Sequence, residues 1–248
     1  MRSRRVGEPT ASVVKRAYVT SVHGTRAALA RTPALDFLDG WAGRSRRALW
    51  LRSLLAIHDL PDLAALDVPW WTFEASDAVA SFLARREHAR VFEWGSGAST
   101  LWLGRRAGQV ISVEHDPRWA QAISALAPQN VRVGVQQPRR LNPGEMGVAS
   151  DKRGYQGLDF LDYVDEIDRH PGLFDLIVID GRVRHACLLR AVGRLAPDGL
   201  ILVDNVERKR NQRAVEQLER PAAVRWTTGL TPCLPYPTAT ALIRLVAR

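Results

Sequence analysis

The sequence feature that most constrains the fold is a regular alternation of short apolar runs with helical segments, which begins at residue 90. Five apolar runs are predicted as core strands: residues 90–94, 109–114, 130–135, 174–180 and 199–204. The last two are predominantly apolar, as parallel strands buried on both faces require. Strands that alternate with helices through short links predict an α/β fold, in which helices cover both faces of a doubly wound, open sheet.

The segments between and after these runs complete the prediction. Helices are expected over residues 99–106, 117–126, 185–195 and 211–218, and further strands near 223–228 and 240–246. Asp116 is placed to cap the helix at 117–126, and Pro117 occupies its first turn. The polar stretch 137–172, rich in Pro and Gly, is interpreted as an insertion with a helical pattern over residues 158–167.

Length and charge predict one principal domain with a basic extension. The chain has 248 residues and 46% hydrophobic content, enough for one well-buried core but short for two full domains. We expect the domain to cover residues 69–248, after a mainly helical extension over residues 1–68. Residues 1–52 hold eleven basic residues against three acids, which accounts for eight of the nine formal positive charges. These residues are Arg2, Arg4, Arg5, Lys15, Arg16, Arg26, Arg31, Arg44, Arg46, Arg47 and Arg52, against Glu8, Asp36 and Asp39.

The basic segment has two interpretations. It can attract nucleic acid, an anionic membrane surface or an acidic partner through long-range electrostatics, or it can form an ordinary arginine-rich solvated surface. Within it, residues 48–60 carry apolar residues at helical spacing, interrupted by Arg52 and His58. A helix packed on the core is favoured over a helix that makes peripheral contact with a membrane.

Cysteine usage and hydropathy bear on the compartment. Cys187 and Cys233 lie far apart without CxxC spacing, so neither a disulfide framework nor a cysteine-based zinc site is indicated. No apolar run approaches the roughly 20 residues that a membrane span needs, and no compact apolar segment follows the first arginines. We expect a cytoplasmic protein without a transmembrane segment.

A glycine-rich loop and a later acid together indicate a nucleoside ligand. The run EWGSGAS contains the candidate residues Glu93, Gly95, Ser96, Gly97 and Ser99. Glycine lets the backbone turn tightly and approach a ligand closely, although a GxG alone also occurs in ordinary turns. Glu114 ends the next strand nineteen residues after Gly95. An acid at that point can accept hydrogen bonds from both hydroxyls of a ribose.

These segments resemble class I S-adenosylmethionine-dependent methyltransferases over about residues 70–246. FEWGSGAST is similar to their ExGxGxS type of first motif, and VISVEHD to their strand that ends in an acid. The resemblance implies a Rossmann-like sheet of about seven strands, the last one antiparallel. It also implies that the loop from Glu93 to Ser99 surrounds the methionine and ribose part of the cofactor, while Glu114 holds the ribose hydroxyls. The alternative ligand, NAD, has a fingerprint whose third glycine would fall at Thr100.

Polar side chains also end the fourth and fifth predicted strands, at Asp180 and at Asp204 with Asn205. They can converge above the sheet, where carboxylate and amide oxygens suit Mg²⁺. The pattern resembles the catechol O-methyltransferase type, which implies a metal held by these three residues that positions a substrate hydroxylate. Arg182 and Arg184 depart from that pattern because they bring cations to the proposed metal. They either pair with the two carboxylates or clamp an anionic substrate.

Transfer to a hydroxyl needs a group that takes up its proton. Asp180 and His185 are the candidate catalytic residues, with His115 behind them, and Asp180 is also predicted to lie beside the cofactor. Trp70 and Trp71 are predicted to pack in the core or to line the acceptor side of a pocket. The Pro-rich stretch 229–237 either borders that pocket or only connects the last two strands.

The sequence therefore predicts an enzyme that transfers a methyl group from S-adenosylmethionine to a small-molecule acceptor, either neutral or anionic, at a hydroxyl oxygen. Two alternatives stay open: a nucleic-acid-binding methyltransferase that uses the basic segment, and a catalytically silent Rossmann-like scaffold. The residues IDGR follow the fourth strand, where an NPPY-like motif would indicate methylation of a base nitrogen. Nucleic acid is therefore the less favoured partner.

Overall fold

The computed structural model describes residues 10–57, 59–142, 144–150, 152 and 154–246, with residues 10–18 and 23 described by their backbone alone. Several residues of the predicted basic extension, namely Arg2, Arg4, Arg5 and Glu8, lie outside the described residues, as does His58 of its predicted helix. None of the helices in the described ranges is long and apolar enough to cross a membrane.

The core of the fold is a seven-stranded sheet. The strands of the described chain are β1 (Arg90–Trp94), β2 (Gln109–Glu114), β3 (Val131–Val135), β4 (Arg139–Arg140), β5 (Leu158–Asp159), β6 (Phe174–Ile179), β7 (Leu195–Asp204), β8 (Ala222–Gly229) and β9 (Thr238–Leu245). The central sheet has the order β3-β2-β1-β6-β7-β9-β8, and β4 pairs with β5 separately. Strand β9 runs antiparallel to β7 and β8, whereas the other pairs of the central sheet are parallel. The predicted mostly parallel sheet with an antiparallel last strand is confirmed.

Helices cover both faces of this sheet. They are α1 (Thr10–Leu29), α2 (Ala34–Ala42), α3 (Arg46–Ser53), α4 (Leu60–Leu66), α5 (Phe73–Leu83), α6 (Ala98–Gly104), α7 (Pro117–Ser124), α8 (Leu161–Asp165), α9 (Arg184–Val192) and α10 (Lys209–Glu216). Successive strand residues point to opposite faces. Phe92 of β1 packs in a buried cluster with side chains of α8 and α9, whereas its neighbour Val91 packs with side chains of α5 and α6. Strand β1 is therefore buried on both sides, as its largely apolar sequence requires.

Helix α7 begins where the sequence places its start. The Asp116 carboxylate accepts hydrogen bonds from the backbone N–H groups of Arg118 and Trp119, at 2.9 and 3.3 Å. Pro117 occupies the first turn, where its missing N–H leaves no bond unmade. The predicted cap is confirmed, and so is the predicted start of the helix at Pro117.

Three predicted elements differ from the structure by more than a shift of one or two residues at an end. The helix predicted over residues 48–60 is two helices, because α3 ends at Ser53 and the Asp59 carboxylate caps a new helix, α4, by accepting from the Asp62 N–H at 3.1 Å. The helical pattern at 158–167 begins with the short strand β5, and only then continues as α8 and a 3-10 turn. Helix α9 ends at Val192, three residues early, so that β7 already begins at Leu195.

The N-terminal helices pack on the domain. Trp50 Nε1 of α3 donates to the carbonyl oxygen of Leu234 at 2.9 Å, and Ser53 Oγ accepts from the Cys233 N–H at 2.9 Å. Arg52 is buried and forms a two-point ion pair with Asp62, at 2.9 and 2.7 Å. The structure thus shows the packed helix that the sequence favoured over a helix at a membrane.

Part of the basic segment is neutralised within the chain. Arg26 pairs with Asp59 and Asp62, and Arg46 pairs with Asp77. These carboxylate partners all follow residue 52 and so lie outside the basic segment. At Arg26 and Arg46 the segment therefore carries internal ion pairs.

Candidate functional site

A cavity of about 470 Å³ opens at the carboxyl ends of β1, β2, β6 and β7. In an open α/β sheet this is the edge at which ligands bind. Among its walls are Gly95, Ser96, Gly97, Ser99, Glu114, His115, Asp180, Asn205 and Asp204. The structure therefore brings most of the sequence-predicted site residues into one place. The volume lies within the range of small-molecule and cofactor sites in proteins.

Gly95 holds the glycine loop against the neighbouring loop. Its φ angle is +95°, and a Cβ atom placed there would lie 2.5 Å from the Gly181 Cα. The two backbones touch at this point, so no larger residue fits. A Cβ on Gly97 would instead meet only Ser99 Oγ, at 3.9 Å. The protein itself leaves room above Gly97, and this open space faces the cavity as a cradle for a ligand.

Glu93 lies beneath the loop, where it has no exposed surface. Its carboxylate accepts hydrogen bonds from the hydroxyls of Ser99, Thr100 and Ser112, at 2.5, 2.5 and 2.7 Å. Burial raises its pKa to about 7, against the three hydroxyl bonds, which lower it. The predicted direct contact of Glu93 with a cofactor does not fit this position. The side chain anchors the loop from below, and Ser99 acts with it.

Glu114 ends β2 and reaches the cavity wall. One carboxylate oxygen, Oε1, accepts from the backbone N–H groups of His115 and Asp116, at 2.8 and 3.0 Å, and also contacts His115 Nδ1. The other, Oε2, accepts one bond, from the Ser96 N–H at 3.2 Å. A carboxylate oxygen has two lone pairs, so Oε2 can accept a further hydrogen bond from a ligand hydroxyl. This capacity fits the predicted ribose contact.

Asp180 and Asp204 face each other across an arginine. Arg184 donates to the Asp180 carboxylate at 2.7 Å and lies 3.6 Å from the Asp204 carboxylate. Trp71 Nε1 donates to the other Asp180 oxygen, at 3.2 Å. Burial raises the pKa of both carboxyls, and the Arg184 guanidinium opposes that rise.

The predicted Mg²⁺ site at Asp180, Asp204 and Asn205 is not supported. The Arg184 guanidinium lies where a cation would bridge the two carboxylates, and the Asn205 amide N–H donates to Asp204 at 2.7 Å. Throughout the described ranges, no group of three or more His, Cys, Asp or Glu side chains is arranged to hold a metal ion. The carboxylates are instead paired with arginine, which is the alternative that the sequence left open.

The two candidate histidines occupy different places. His115 lines the cavity, and its Nε2 lies 2.9 Å from the Tyr155 hydroxyl and 3.3 Å from Arg182 Nε. His185 lies beyond Arg184, where its Nε2 is 2.8 Å from an Arg210 nitrogen, and it is not among the described residues of the cavity wall. The predicted catalytic role requires His185 to share this cavity with Asp180, and the structure does not place it there.

Several wall residues escape the sequence patterns. Tyr155 comes from the insertion, and Trp119 of α7 donates from Nε1 to the Ser96 carbonyl at 2.7 Å. The adjacent tryptophans divide their roles, because Trp71 is fully buried whereas Trp70 lines the cavity. The Pro-rich stretch borders the cavity through Leu234. The sequence offered Trp70, Trp71 and the Pro-rich stretch as candidates for this part of the wall, whereas it gave no signal for Tyr155 or Trp119.

Comparison with known proteins identifies the fold. No protein-family model and no curated protein sequence matches the chain. Many solved structures resemble the chain, and two of them illustrate the shared fold. The O-methyltransferase TomG from Streptomyces achromogenes, involved in tomaymycin synthesis and solved with S-adenosylmethionine, has a TM-score of 0.52 at 15% identity over 70% of this chain and 80% of that one. An O-methyltransferase from Bacillus cereus, solved with S-adenosylhomocysteine, has a TM-score of 0.52 at 18% identity over 78% and 90%. The chain has the Rossmann-like fold of these methyltransferases.

Proposed function

We propose that the protein transfers a methyl group from S-adenosylmethionine to a hydroxyl oxygen of a small-molecule acceptor. The observation that carries this proposal is the meeting of three features in one cavity: the open cradle above Gly97, the acceptor oxygen of Glu114 and the carboxyl of Asp180. The first two suit a nucleoside-bearing cofactor, and the third suits removal of a proton. The shared fold with two O-methyltransferases agrees with it.

The loop supports a methyl donor over a dinucleotide. The third glycine of a dinucleotide fingerprint would fall at Thr100. In that fingerprint the glycine has no side chain, which lets the helix pack closely on the strand. Here the Thr100 hydroxyl accepts from the Gly97 N–H at 2.8 Å and donates to Glu93 at 2.5 Å. This side chain is part of the loop's hydrogen-bond network, so the position is built for threonine.

The residues of the cavity divide the work as follows. When bound, S-adenosylmethionine supplies an electrophilic methyl group on a sulfur that leaves readily. Glu114 Oε2 would accept a hydrogen bond from a ribose hydroxyl, and the open space above Gly97 would let the ligand lie close to the loop. Asp180 would take up the proton of the acceptor hydroxyl, while the acceptor oxygen replaces the sulfur on the methyl carbon and S-adenosylhomocysteine leaves. Trp71 and Arg184 hold the Asp180 carboxylate in place.

Calorimetric titration tests the proposal. The purified chain is titrated with S-adenosylmethionine, S-adenosylhomocysteine and NAD, and so are Glu114→Ala and the matched control Glu87→Ala, an exposed acid outside the cavity. We expect the two adenosyl ligands to bind with micromolar affinity, and Glu114→Ala to weaken them at least about tenfold, because it removes a hydrogen bond to a charged group. The control should bind as the native chain does. Absence of binding to both adenosyl ligands, or preference for NAD, would refute the proposal.

A further inference from the structure

A second cavity, of about 360 Å³, adjoins the first. The two share wall residues, among them Lys152, Arg182, Arg184 and Arg208. A ligand that fills the second cavity can therefore extend past these side chains into the first. The proposed cofactor and proton acceptor occupy the first cavity and leave the second without a role.

The wall of the second cavity is strongly cationic. Five of its described wall residues are positively charged, namely Lys152, Arg182, Arg184, Arg208 and Arg210, and none of the described ones is acidic. Like charges around a concave surface raise the local potential and attract anions. The wall therefore selects for negative charge, and it does so more strongly than the first cavity, which contains Glu114, Asp116, Asp180 and Asp204.

Arg182 and Arg208 are the cations best placed for a ligand. No carboxylate of the described chain forms an ion pair with either, whereas Arg184 is paired with Asp180 and Asp204. Arg182 is held in place, since its guanidinium lies over the Tyr155 ring at 5.3 Å and its Nε is 3.3 Å from His115 Nε2. A guanidinium positioned in this way presents its remaining N–H groups as a fixed fork.

Two helices also begin at this cavity. Helix α9 starts at Arg184 and α10 at Lys209, and neither has a side-chain cap or an acidic residue in its first turn. The amino end of a helix carries about half a positive charge and N–H groups without helical partners. Acidic caps would cancel this charge, and their absence adds to the positive potential of the wall. The helix ends reinforce the arginines.

We propose that the second cavity binds a phosphoryl group of the acceptor, so that the substrate is a phosphorylated small molecule whose hydroxyl reaches Asp180. A phosphoryl group carries up to two negative charges and several acceptor oxygens, which match the fork of Arg182 and the neighbouring cations. This inference rests on the proposed methyl transfer for its substrate, but the anion site itself is independent of the cofactor.

The test titrates the purified chain with inorganic phosphate and with pyrophosphate, followed by calorimetry or phosphorus NMR, at low and at raised salt. The variants are Arg208→Gln and Arg182→Gln, and the control is Arg85→Gln, an exposed arginine outside both cavities. We expect saturable millimolar or tighter binding that weakens about tenfold in each cavity variant, because a charged hydrogen bond is lost. The control should bind phosphate as the native chain does.

The outcomes separate this inference from the proposed function. Phosphate binding that is absent, or that both cavity variants retain, overturns the phosphoryl site even if S-adenosylmethionine binds the same sample. If phosphate binds and S-adenosylmethionine does not, the anion site is supported and the proposed methyltransferase function is refuted. A short RNA that binds far more tightly than pyrophosphate and depends on the same arginines overturns the small-molecule acceptor in favour of a nucleic-acid partner.

Discussion

The anchoring of the glycine loop by Glu93 predicts an unusual pH dependence of stability. The pKa of Glu93 is about 7 in the folded chain, against an ordinary value of 4.5, because its carboxylate is fully buried. Between these two values the folded state binds more protons than the unfolded state. The free energy of unfolding therefore falls as pH rises through this window. A salt-bridged carboxylate has the opposite pH dependence, because its pKa is lowered in the folded state and its stabilisation is lost as pH falls.

The size of the effect follows from the two pKa values. A shift of one unit corresponds to about 1.4 kcal/mol, so the full shift of Glu93 corresponds to roughly 3 kcal/mol. Unfolded Glu93 is already largely ionised at pH 5, and the folded residue is largely ionised at pH 8. Between those two conditions the linkage relation gives a loss of about 2–3 kcal/mol from this residue.

Urea denaturation at pH 5 and pH 8 measures this loss of unfolding free energy in the native chain and in Glu93→Gln. The glutamine cannot titrate, so the other ionisable groups contribute equally to both proteins and cancel in the comparison. We expect the native chain to lose about 2–3 kcal/mol more than the variant between the two conditions. Glu87→Gln, at an exposed position, serves as the control and should follow the native chain. Equal losses in the native chain and Glu93→Gln would refute the buried anchor.

Other variants test the geometry of the site. Gly95→Ala should lower the free energy of unfolding by at least about 2 kcal/mol, because the new methyl group combines a positive φ with a clash against Gly181; urea denaturation checks this, and a loss below about 0.5 kcal/mol would contradict it. Gly97→Ala should keep its stability and lose affinity for S-adenosylhomocysteine in calorimetry, and unchanged affinity would mean that no ligand lies on the cradle. Arg184→Gln leaves two buried carboxyls without their cation and should cost about 3–5 kcal/mol of unfolding free energy, whereas a change within about 1 kcal/mol would show that the pairing is unimportant.

The sequence predicts the framework of this site well, because its signals are local. The apolar run at 174–179 and the cap at Asp116 depend on neighbouring residues alone, and both are found where expected. The fold also places the ends of parallel strands at one edge, which is why Glu114 and Asp180 meet at one cavity. These predictions needed no knowledge of distant contacts.

The parts that the sequence does not predict depend on distant contacts. The direction of the Glu93 side chain is decided by three hydroxyls from α6 and β2, and a pattern of spacing does not show whether they face it. The insertion has no periodicity that would place Tyr155 beside His115. Arg184 stands four residues after Asp180, but that spacing becomes a contact only because α9 begins there.

The position of β9 in the sheet has a consequence for the order in which the site is assembled during synthesis. Strand β9 lies between β7 and β8, and its Thr240 hydroxyl donates to Asp204 at 2.8 Å. The Phe73 N–H, before the first core strand, donates to the Leu230 carbonyl at 3.2 Å. A ribosome must therefore release nearly the whole domain before β7 gains its second neighbour and the cavity gains its last wall. A nascent chain that stops before residue 238 carries the glycine loop and Glu114 but presents the edge of β7 to solvent, where other unfinished chains can pair with it.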